Sequence, residues 1–264
     1  MHPTHPAEDT MKYLQLIRIA PGAQPEPGDT DPQPWVDETT ARGTRVTGDR
    51  LRPAQDATTV RSRGHETIVT DGPFAEAREQ IGGFDILEAA DLDAAVAVAA
   101  AHPVARYGSI EVRETWPFDV GDLDASTPGD VLADEPPAGW HRYLMIFGAD
   151  TETERILAGA GSDGPGAGGG EVDWQAMLTT WIEDTARRGI DLDGARLRPP
   201  EETKTVRVRD GRTLVVDGPF AEAREHVAGY NIIQTPSLDE AIEIAAAHPG
   251  SHIGPIELRP LWPM

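Results

Sequence analysis

The sequence predicts an α+β fold made of two tandem copies of one unit. The nine residues from Asp71 to Glu79 recur unchanged from Asp217 to Glu225, 146 residues later. Most of the other residues that match between the two halves of the chain do so at that same offset. Within each copy, strand-like apolar runs alternate with runs that have the helical period.

Composition excludes several classes of protein. With 264 residues the chain is long enough for two ordinary domains, and its formal net charge is −22. Because so acidic a chain repels phosphate backbones and anionic lipids, we expect no direct nucleic-acid binding and no membrane binding. The absence of cysteine excludes disulfides, thiol catalysis and cysteine-based zinc sites. No apolar run approaches the ~20 residues of a membrane helix, and the N-terminal segment lacks the apolar core of a signal peptide. We therefore expect a cytoplasmic protein.

The repeat divides the chain into two domains and a linker. We predict a first domain at 11–118, an acidic, proline-bearing linker at 119–139 with little to pack, and a second domain at 140–263. The first strand does not follow the 146-residue offset, because Tyr13 matches Tyr143, which lies 130 residues later. A Gly-rich insert near 158–170 in the second copy accounts for this difference.

Local patterns predict the first half of each unit. The apolar, β-prone runs 13–19 and 143–147 predict the first strand. Apolar residues at helical spacing predict a helix at 174–188, and its weaker counterpart begins after Pro34. A hairpin follows in both copies, with strands at 203–209 and 212–216 in the second and at 58–62 and 66–70 in the first.

The second half of each unit is a strand, a helix and a strand. The strands are predicted at 84–88 and 109–113, with counterparts at 230–234 and 255–259. The helix is predicted at 92–101 and again from Leu238, and a His-Pro pair ends both copies of it. The order β-α-β-hairpin-β-α-β is a ferredoxin-like unit with an added hairpin. No local pattern marks the ends of the strand that follows the first helix. Because helices cover one face of such a sheet, we expect the other faces of the two sheets to meet as an intramolecular pseudo-dimer.

The repeated Asp-Gly-Pro-Phe, the preceding hairpin and the His-Pro helix end resemble the YCII-related family, in particular its DGPF-signature branch. The resemblance covers nearly the whole chain. It implies a dimeric α/β barrel of ferredoxin-like units, and for DGPF members an association with sigma factors. The wider family is known for a His–Asp pair, with the histidine on the first helix and the aspartate before a proline. This chain has His102 and His248 at the pre-proline positions and no histidine on either first helix, so that pair is not carried over.

Two groups of residues are candidates for a site. The catalytic candidates are His102, His248, Asp71 and Asp217. The ligand-binding candidates are Glu76, Arg78, Glu222, Arg224, Arg52, Arg198, Glu111, Arg113, Glu257 and Arg259. We expect no metal, because Pro249 and Gly250 interrupt the one promising histidine spacing, His248 and His252. We expect no cofactor, because the G-x-G-x-x-G match at 159–164 lacks the strand–turn–helix setting of a dinucleotide site.

Each group has a structural alternative. Asp-Gly-Pro-Phe either turns the chain and anchors an aromatic ring, or presents carboxylates and an arginine at the mouth of the inter-sheet space. The histidines either cap a helix end, or act as acid or base with a pKa near neutrality or above. Period two puts Glu111 and Arg113 on one sheet face, as it does Glu257 and Arg259, either toward a ligand or as a salt-bridged edge.

Three functions follow from these alternatives. The first is binding of a small polar or anionic molecule between the two sheets. The second is a small-molecule enzyme that uses His102 or His248 with carboxylates of the repeated loop. The third is an interaction module whose partner is a basic protein or a sigma factor. A monomeric pseudo-dimer is the expected state, with further dimerisation left open.

Overall fold

The computed structural model describes residues 10–25, 28, 31–64, 66–74, 79–116, 132, 135–150, 153, 174–219 and 226–262. These ranges contain twelve strands, four α-helices and short 3-10 turns, which confirms the α+β class. The first copy comprises β1 (Met11–Ile19), α1 (Gln33–Ala41), β2 (Arg45–Arg50), β3 (Thr58–Arg63), β4 (Glu66–Asp71), β5 (Gln80–Ala89), α2 (Leu92–Ala101) and β6 (Ser109–Trp116). The second comprises β7 (His141–Ala149), α3 (Trp174–Arg187), β8 (Asp191–Leu197), β9 (Lys204–Arg209), β10 (Arg212–Asp217), β11 (His226–Thr235), α4 (Leu238–Ala247) and β12 (Ile256–Pro260).

Local signals fix the bounds of α2 and α4. The Asp91 carboxylate accepts a hydrogen bond from the Ala94 amide, and the Ser237 hydroxyl accepts one from the Glu240 amide, so both helices begin at a capping side chain. Both end where His102 and His248 adopt extended backbone angles before a proline. The predicted span of α2 is confirmed, whereas β5 and β11 are longer than predicted. The strands without predicted bounds are β2 and β8.

Each copy forms a four-stranded antiparallel sheet with the strand order of a ferredoxin-like unit. The orders are β2-β5-β1-β6 and β8-β11-β7-β12. The hairpins, however, are exchanged between the copies. Strand β3 pairs with β12 of the second copy, and β9 pairs with β6 of the first, so β4 and β10 lie outermost.

Two junctions join the sheets. At one, β6 pairs with β8 through Thr115 opposite Leu197 and Trp116 opposite Arg196. At the equivalent place between the end of β2 and the end of β12 there is only an isolated bridge, Leu51 with Leu261. The described pairings therefore form one twelve-stranded sheet, and no continuous ladder closes it into a barrel.

The hydrophobic core has three parts. One cluster lies under α1 and α2 and another under α3 and α4. The third, which we call the shared core, draws on both copies and includes Leu14 and Phe84 with Leu144 and Tyr230. Leu132 also belongs to the shared core. The prediction that the linker has little to pack is therefore wrong at this residue.

Candidate functional site

The last strand of each copy turns its charged residues toward the shared core. In the β1–β6 ladder, Arg113 lies opposite Leu14 and Glu111 opposite Leu16, and both leucines belong to the shared core. Opposite residues of a ladder point to the same face, so the two charges do as well. Each is only 1–2% exposed. A charge so deeply buried requires a partner.

The partners come partly from the other copy. Arg113 donates to the Glu111 carboxylate at 2.9 Å and to the carbonyl of Val227. Arg259 donates to Glu257 at 2.8 Å and to the carbonyl of Ile81 at 2.6 Å. We call Glu111 with Arg113, and Glu257 with Arg259, the two Glu–Arg clamps. Since each arginine bonds a carbonyl two residues beyond the opposite copy's repeated nonapeptide, the clamps hold the copies together.

The clamp of the first copy is part of a larger polar group. Arg18 donates from Nε to Glu111 at 2.9 Å and lies opposite Ser109 in the β1–β6 ladder. The Glu79 carboxylate accepts from the Ser109 hydroxyl and, at 3.0 Å, from Arg207 of β9. We call these residues the Arg18 cluster: Arg18, Glu79, Ser109, Glu111, Arg113 and Arg207. Among the described residues it holds three arginines and two glutamates.

The electrostatics of the Arg18 cluster keep Glu111 ionised. Burial alone raises the pKa of this carboxyl, but the charges of Arg18 and Arg113 and their hydrogen bonds outweigh burial and lower it. Arg18 and Arg207 are more accessible than Glu111, with side chains 10% and 31% exposed. In this cluster the Glu111 carboxylate is buried and ionised, and the side chains of Arg18 and Arg207 lie nearer the protein surface.

In the second copy, apolar residues stand at the positions equivalent to Arg18 and Ser109. Arg18 corresponds to Gly148, and Ser109 to Pro255. A β-carbon on Gly148 would lie 2.9 Å from the ring of Phe74 and 2.8 Å from Pro255, so these two side chains occupy the space. The Phe74 amide donates to Glu257 at 3.2 Å, in the role that Arg18 has toward Glu111. We call these two equivalent places, one at Arg18 and one at Gly148, the two poles, and they are chemically different.

Arg52 and Arg198 lie at the junctions between the copies. The guanidinium of Arg198 is 5.3 Å from the ring of Trp116, and that of Arg52 is 5.5 Å from the ring of Trp262. Each tryptophan belongs to the other copy and is 37% exposed. Arg52 also pairs with Asp56 at 2.7 Å. Neither arginine is part of the Arg18 cluster.

The two histidines lie on the helix-covered faces, away from the Arg18 cluster. Nδ1 of His102 accepts the Val104 amide and Nδ1 of His248 accepts the Gly250 amide, so each caps a 3-10 turn. Their rings pack edge-on against Trp35 and Trp181 at 4.6 and 4.7 Å. Burial lowers the pKa of His102 to about 4, with Arg45 adding to the effect, and the pKa of His248 to about 3. The expectation of a pKa near neutrality or above is wrong, because desolvation outweighs the helix end.

The repeated loop is only partly described. Asp71 and Asp217 end outer strands and are exposed, and Asp217 pairs with Lys204 at 2.6 Å. Phe74 packs against the shared core, as the structural interpretation of the motif predicts. Four candidates, Glu76, Arg78, Glu222 and Arg224, lie outside the described residues.

Sequence reasoning missed Arg18, Ser109 and Arg207 as members of one cluster. A signal for Arg18 was present, because it aligns with Gly148 once the first strand is shifted by 130 residues. Nothing local indicated Arg207, since it reaches the cluster only through hairpin exchange. Within the described ranges, no group of three or more histidines, aspartates and glutamates is placed to hold a metal ion, and no helix is long and apolar enough to cross a membrane.

Comparison with known proteins gives a family and one relative. Residues 11–119 and 153–264 match the YCII-related domain. An uncharacterised protein of Rhizobium meliloti (strain 1021) is 44% identical over 71 residues, which cover 25% of this chain and 56% of that protein. The match thus spans little more than half the length of that relative.

Proposed function

Because this chain belongs to the YCII-related family and carries the domain twice, we propose that it binds one small anionic molecule between its two sheets, at the Arg18 cluster. The observation that carries the proposal is the contrast between the poles. Arg18 stands at one pole, and Gly148, covered by Phe74, stands at the other.

The proposal includes the architecture of the site. We propose that the two units face each other as an intramolecular pseudo-dimeric α/β barrel. The shared core, the exchanged hairpins and the clamps that bond carbonyls of the opposite copy support this arrangement. In it, each pole is composite, because one copy supplies the last strand and the other supplies the hairpin strand that pairs with it.

Arginine suits the ligand that we propose. A guanidinium presents a planar fork of donors that matches carboxylate or phosphate oxygens, and it keeps its charge at any working pH. In the Arg18 cluster, the ionised Glu111 orients Arg18, and Glu79 orients Arg207 at 3.0 Å. A ligand anion adds a negative charge to a group whose described residues have a surplus positive one. The ligand class is therefore a small carboxylate or phosphate ester.

The test is calorimetric titration with inorganic phosphate and a panel of small carboxylates and phosphate esters. We expect one ligand per chain, and a ligand at 100 times its dissociation constant should stabilise the fold by ~2.7 kcal/mol. Arg207→Ala should weaken binding ~10–100-fold, as expected for the loss of a charged hydrogen bond.

The repeat supplies a matched control. Arg61 is the counterpart of Arg207 in the other hairpin, so Arg61→Ala should leave affinity unchanged. Arg18→Lys keeps the charge beside Glu111 but loses the fork, and should weaken binding while the fold persists. Equal losses for Arg207→Ala and Arg61→Ala, or two ligands per chain, would contradict a single site at the Arg18 cluster.

A further inference from the structure

The Glu79 carboxylate already holds two donors of the Arg18 cluster that an anion would use. It accepts from the Ser109 hydroxyl and, at 3.0 Å, from Arg207. Ser109 is fully buried, whereas the side chains of Glu79 and Arg207 are 14% and 31% exposed. The β6–β9 ladder pairs Ile110 with Val206, and its next step would place Ser109 beside Arg207. Glu79 thus contacts two neighbouring donors on the more accessible side of the cluster.

Arg18 has a further donor beside this contact. It bonds Glu111 through Nε and Nη2, both at 2.9 Å, and no described residue accepts from its Nη1. Arg18 lies opposite Ser109 in the β1–β6 ladder, so both side chains are on the same face of the sheet. If Glu79 moved away, Arg18, Ser109 and Arg207 could all donate to one anion.

The charge balance of the Arg18 cluster depends on Glu79. With Glu79 in place, the three arginines and two glutamates of the cluster leave a surplus of one positive charge. Without it, the surplus is two. A monoanion that displaced Glu79 would only replace one negative charge by another, and the tethered carboxylate competes at an effective concentration on the order of millimolar. A dianion adds one charge interaction in the exchange, and a phosphate monoester brings three terminal oxygens for the three donors.

We propose that the Glu79 carboxylate competes with the ligand for Arg207 and Ser109, and that the ligand is a phosphate monoester in its dianionic form. This inference rests on the anion site proposed above and narrows its ligand class. The phosphate takes the place of the Glu79 carboxylate and bonds Arg18 as well, while Glu79 turns toward solvent. The other pole lacks this arrangement, because Gly148 and Pro255 stand at the positions of Arg18 and Ser109.

The experiment is calorimetric titration of the full chain with methyl phosphate, methyl sulfate and acetate. At about pH 8 the phosphate ester is a dianion, because its second pKa is about 6, whereas the sulfate ester has the same tetrahedral shape and a single charge. The wild type should bind methyl phosphate at least ~10-fold more tightly than either monoanion, as expected for one further charged contact. Glu79→Gln keeps the size of the side chain and removes its charge, so it should raise the affinity for all three anions ~10–100-fold.

Glu66→Gln is the control, because it removes one negative charge from an exposed position of β4, on the other hairpin, and it should leave all three affinities unchanged. Equal wild-type affinity for methyl phosphate and methyl sulfate would overturn the inference, and this comparison decides even if Glu79→Gln fails to fold. Unchanged or weaker binding by a folded Glu79→Gln chain would also overturn it.

The same titrations separate this inference from the proposed function. Anion binding that is lost in Arg207→Ala but shows no preference for the dianion would leave the proposed site standing and contradict only the narrower ligand class. Absence of binding for every anion, in the wild type and in Glu79→Gln, would contradict both.

Discussion

At the residue scale, one half-buried position carries opposite charges in the two copies. Under the helices of the first copy, Arg45 donates to Asp85 at 2.7 Å. The residue 146 positions after Arg45 is Asp191, which accepts from Asn231 at 3.0 Å. Burial raises the pKa of Asp191 to about 7, the hydrogen bond from Asn231 opposes this, and the nearby charge of Asp193 adds to it. Near pH 7 this carboxyl is therefore partly protonated and partly ionised in the folded protein.

Asp191→Asn should make stability less dependent on pH. In the unfolded chain an aspartate ionises near pH 4, whereas in the fold Asp191 holds its proton up to about pH 7. Its contribution to stability is therefore present at low pH and is lost as pH rises through that window. At pH 8 we expect the variant to be more stable than the wild type by ~2–4 kcal/mol, with little difference near pH 4.

Urea unfolding of both proteins at several pH values measures this effect. Taking the difference between them removes the contribution of the buried histidines, whose lowered pKa values cost stability as pH falls below about 6.5. Glu201→Gln, at an exposed glutamate, serves as the control and should leave the pH dependence unchanged. A pH-independent difference between Asp191→Asn and the wild type would contradict the assignment.

At the scale of elements, the Glu–Arg clamps tie a strand of one copy to the loop end of the other. The two clamps differ in the number of arginines that bond the glutamate. Glu111 has two arginine partners, Arg18 and Arg113, whereas Glu257 has Arg259 and the Phe74 amide. Removing one partner of a buried pair leaves an uncompensated charge. The second clamp should therefore be the more sensitive to losing its arginine.

Arg259→Met should destabilise the protein by ~3–5 kcal/mol, because Glu257 then keeps no cationic partner among the described residues. The matched variant Arg113→Met should cost less, because Arg18 still bonds Glu111. Adding Glu257→Leu to Arg259→Met should recover part of the loss, since no buried charge then remains. Denaturant unfolding of the four proteins tests the ranking. Equal costs for the two arginine variants would show that Arg18 gives Glu111 no extra support.

The secondary-structure elements also show which features could be predicted from the sequence and which could not. The bounds of α2 were predictable because capping and the His-Pro stop are local signals. Period two correctly grouped Glu111 with Arg113. The exchange of hairpins was not predictable, because no local pattern says that β3 pairs with β12 and not with a strand of its own copy. For the same reason the composition of the Arg18 cluster, with Arg207 from the second copy, could not be read from sequence.

At the scale of the whole molecule, we expect the two copies to depend on each other for folding. They share one core, exchange hairpins, and bury arginines against each other's carbonyls. Separated, the first copy would expose Leu14, Leu16 and Phe84 on one sheet face. Exposed apolar surface of that kind promotes association.

Residues 1–139 and 140–264, expressed separately, should each self-associate or fail to unfold cooperatively. Mixing them should yield a one-to-one complex with the circular dichroism spectrum of the intact chain. Light scattering and thermal unfolding of the fragments and their mixture measure this. Two fragments that are each monomeric and cooperatively folded would contradict the interdependence of the copies.

The difference between Arg18 and its counterpart Gly148 has an evolutionary consequence. In an assembly of two identical chains, any substitution appears at both poles, so a cavity gained at one is gained at the other. A single gene that encodes both halves removes this restriction. At one pole Phe74 fills the space beside Gly148, while the other pole has Arg18 at the equivalent position. Covalent linkage thus allows the two poles to differ in their residues and in their roles. Two identical chains in a symmetric dimer do not have this freedom.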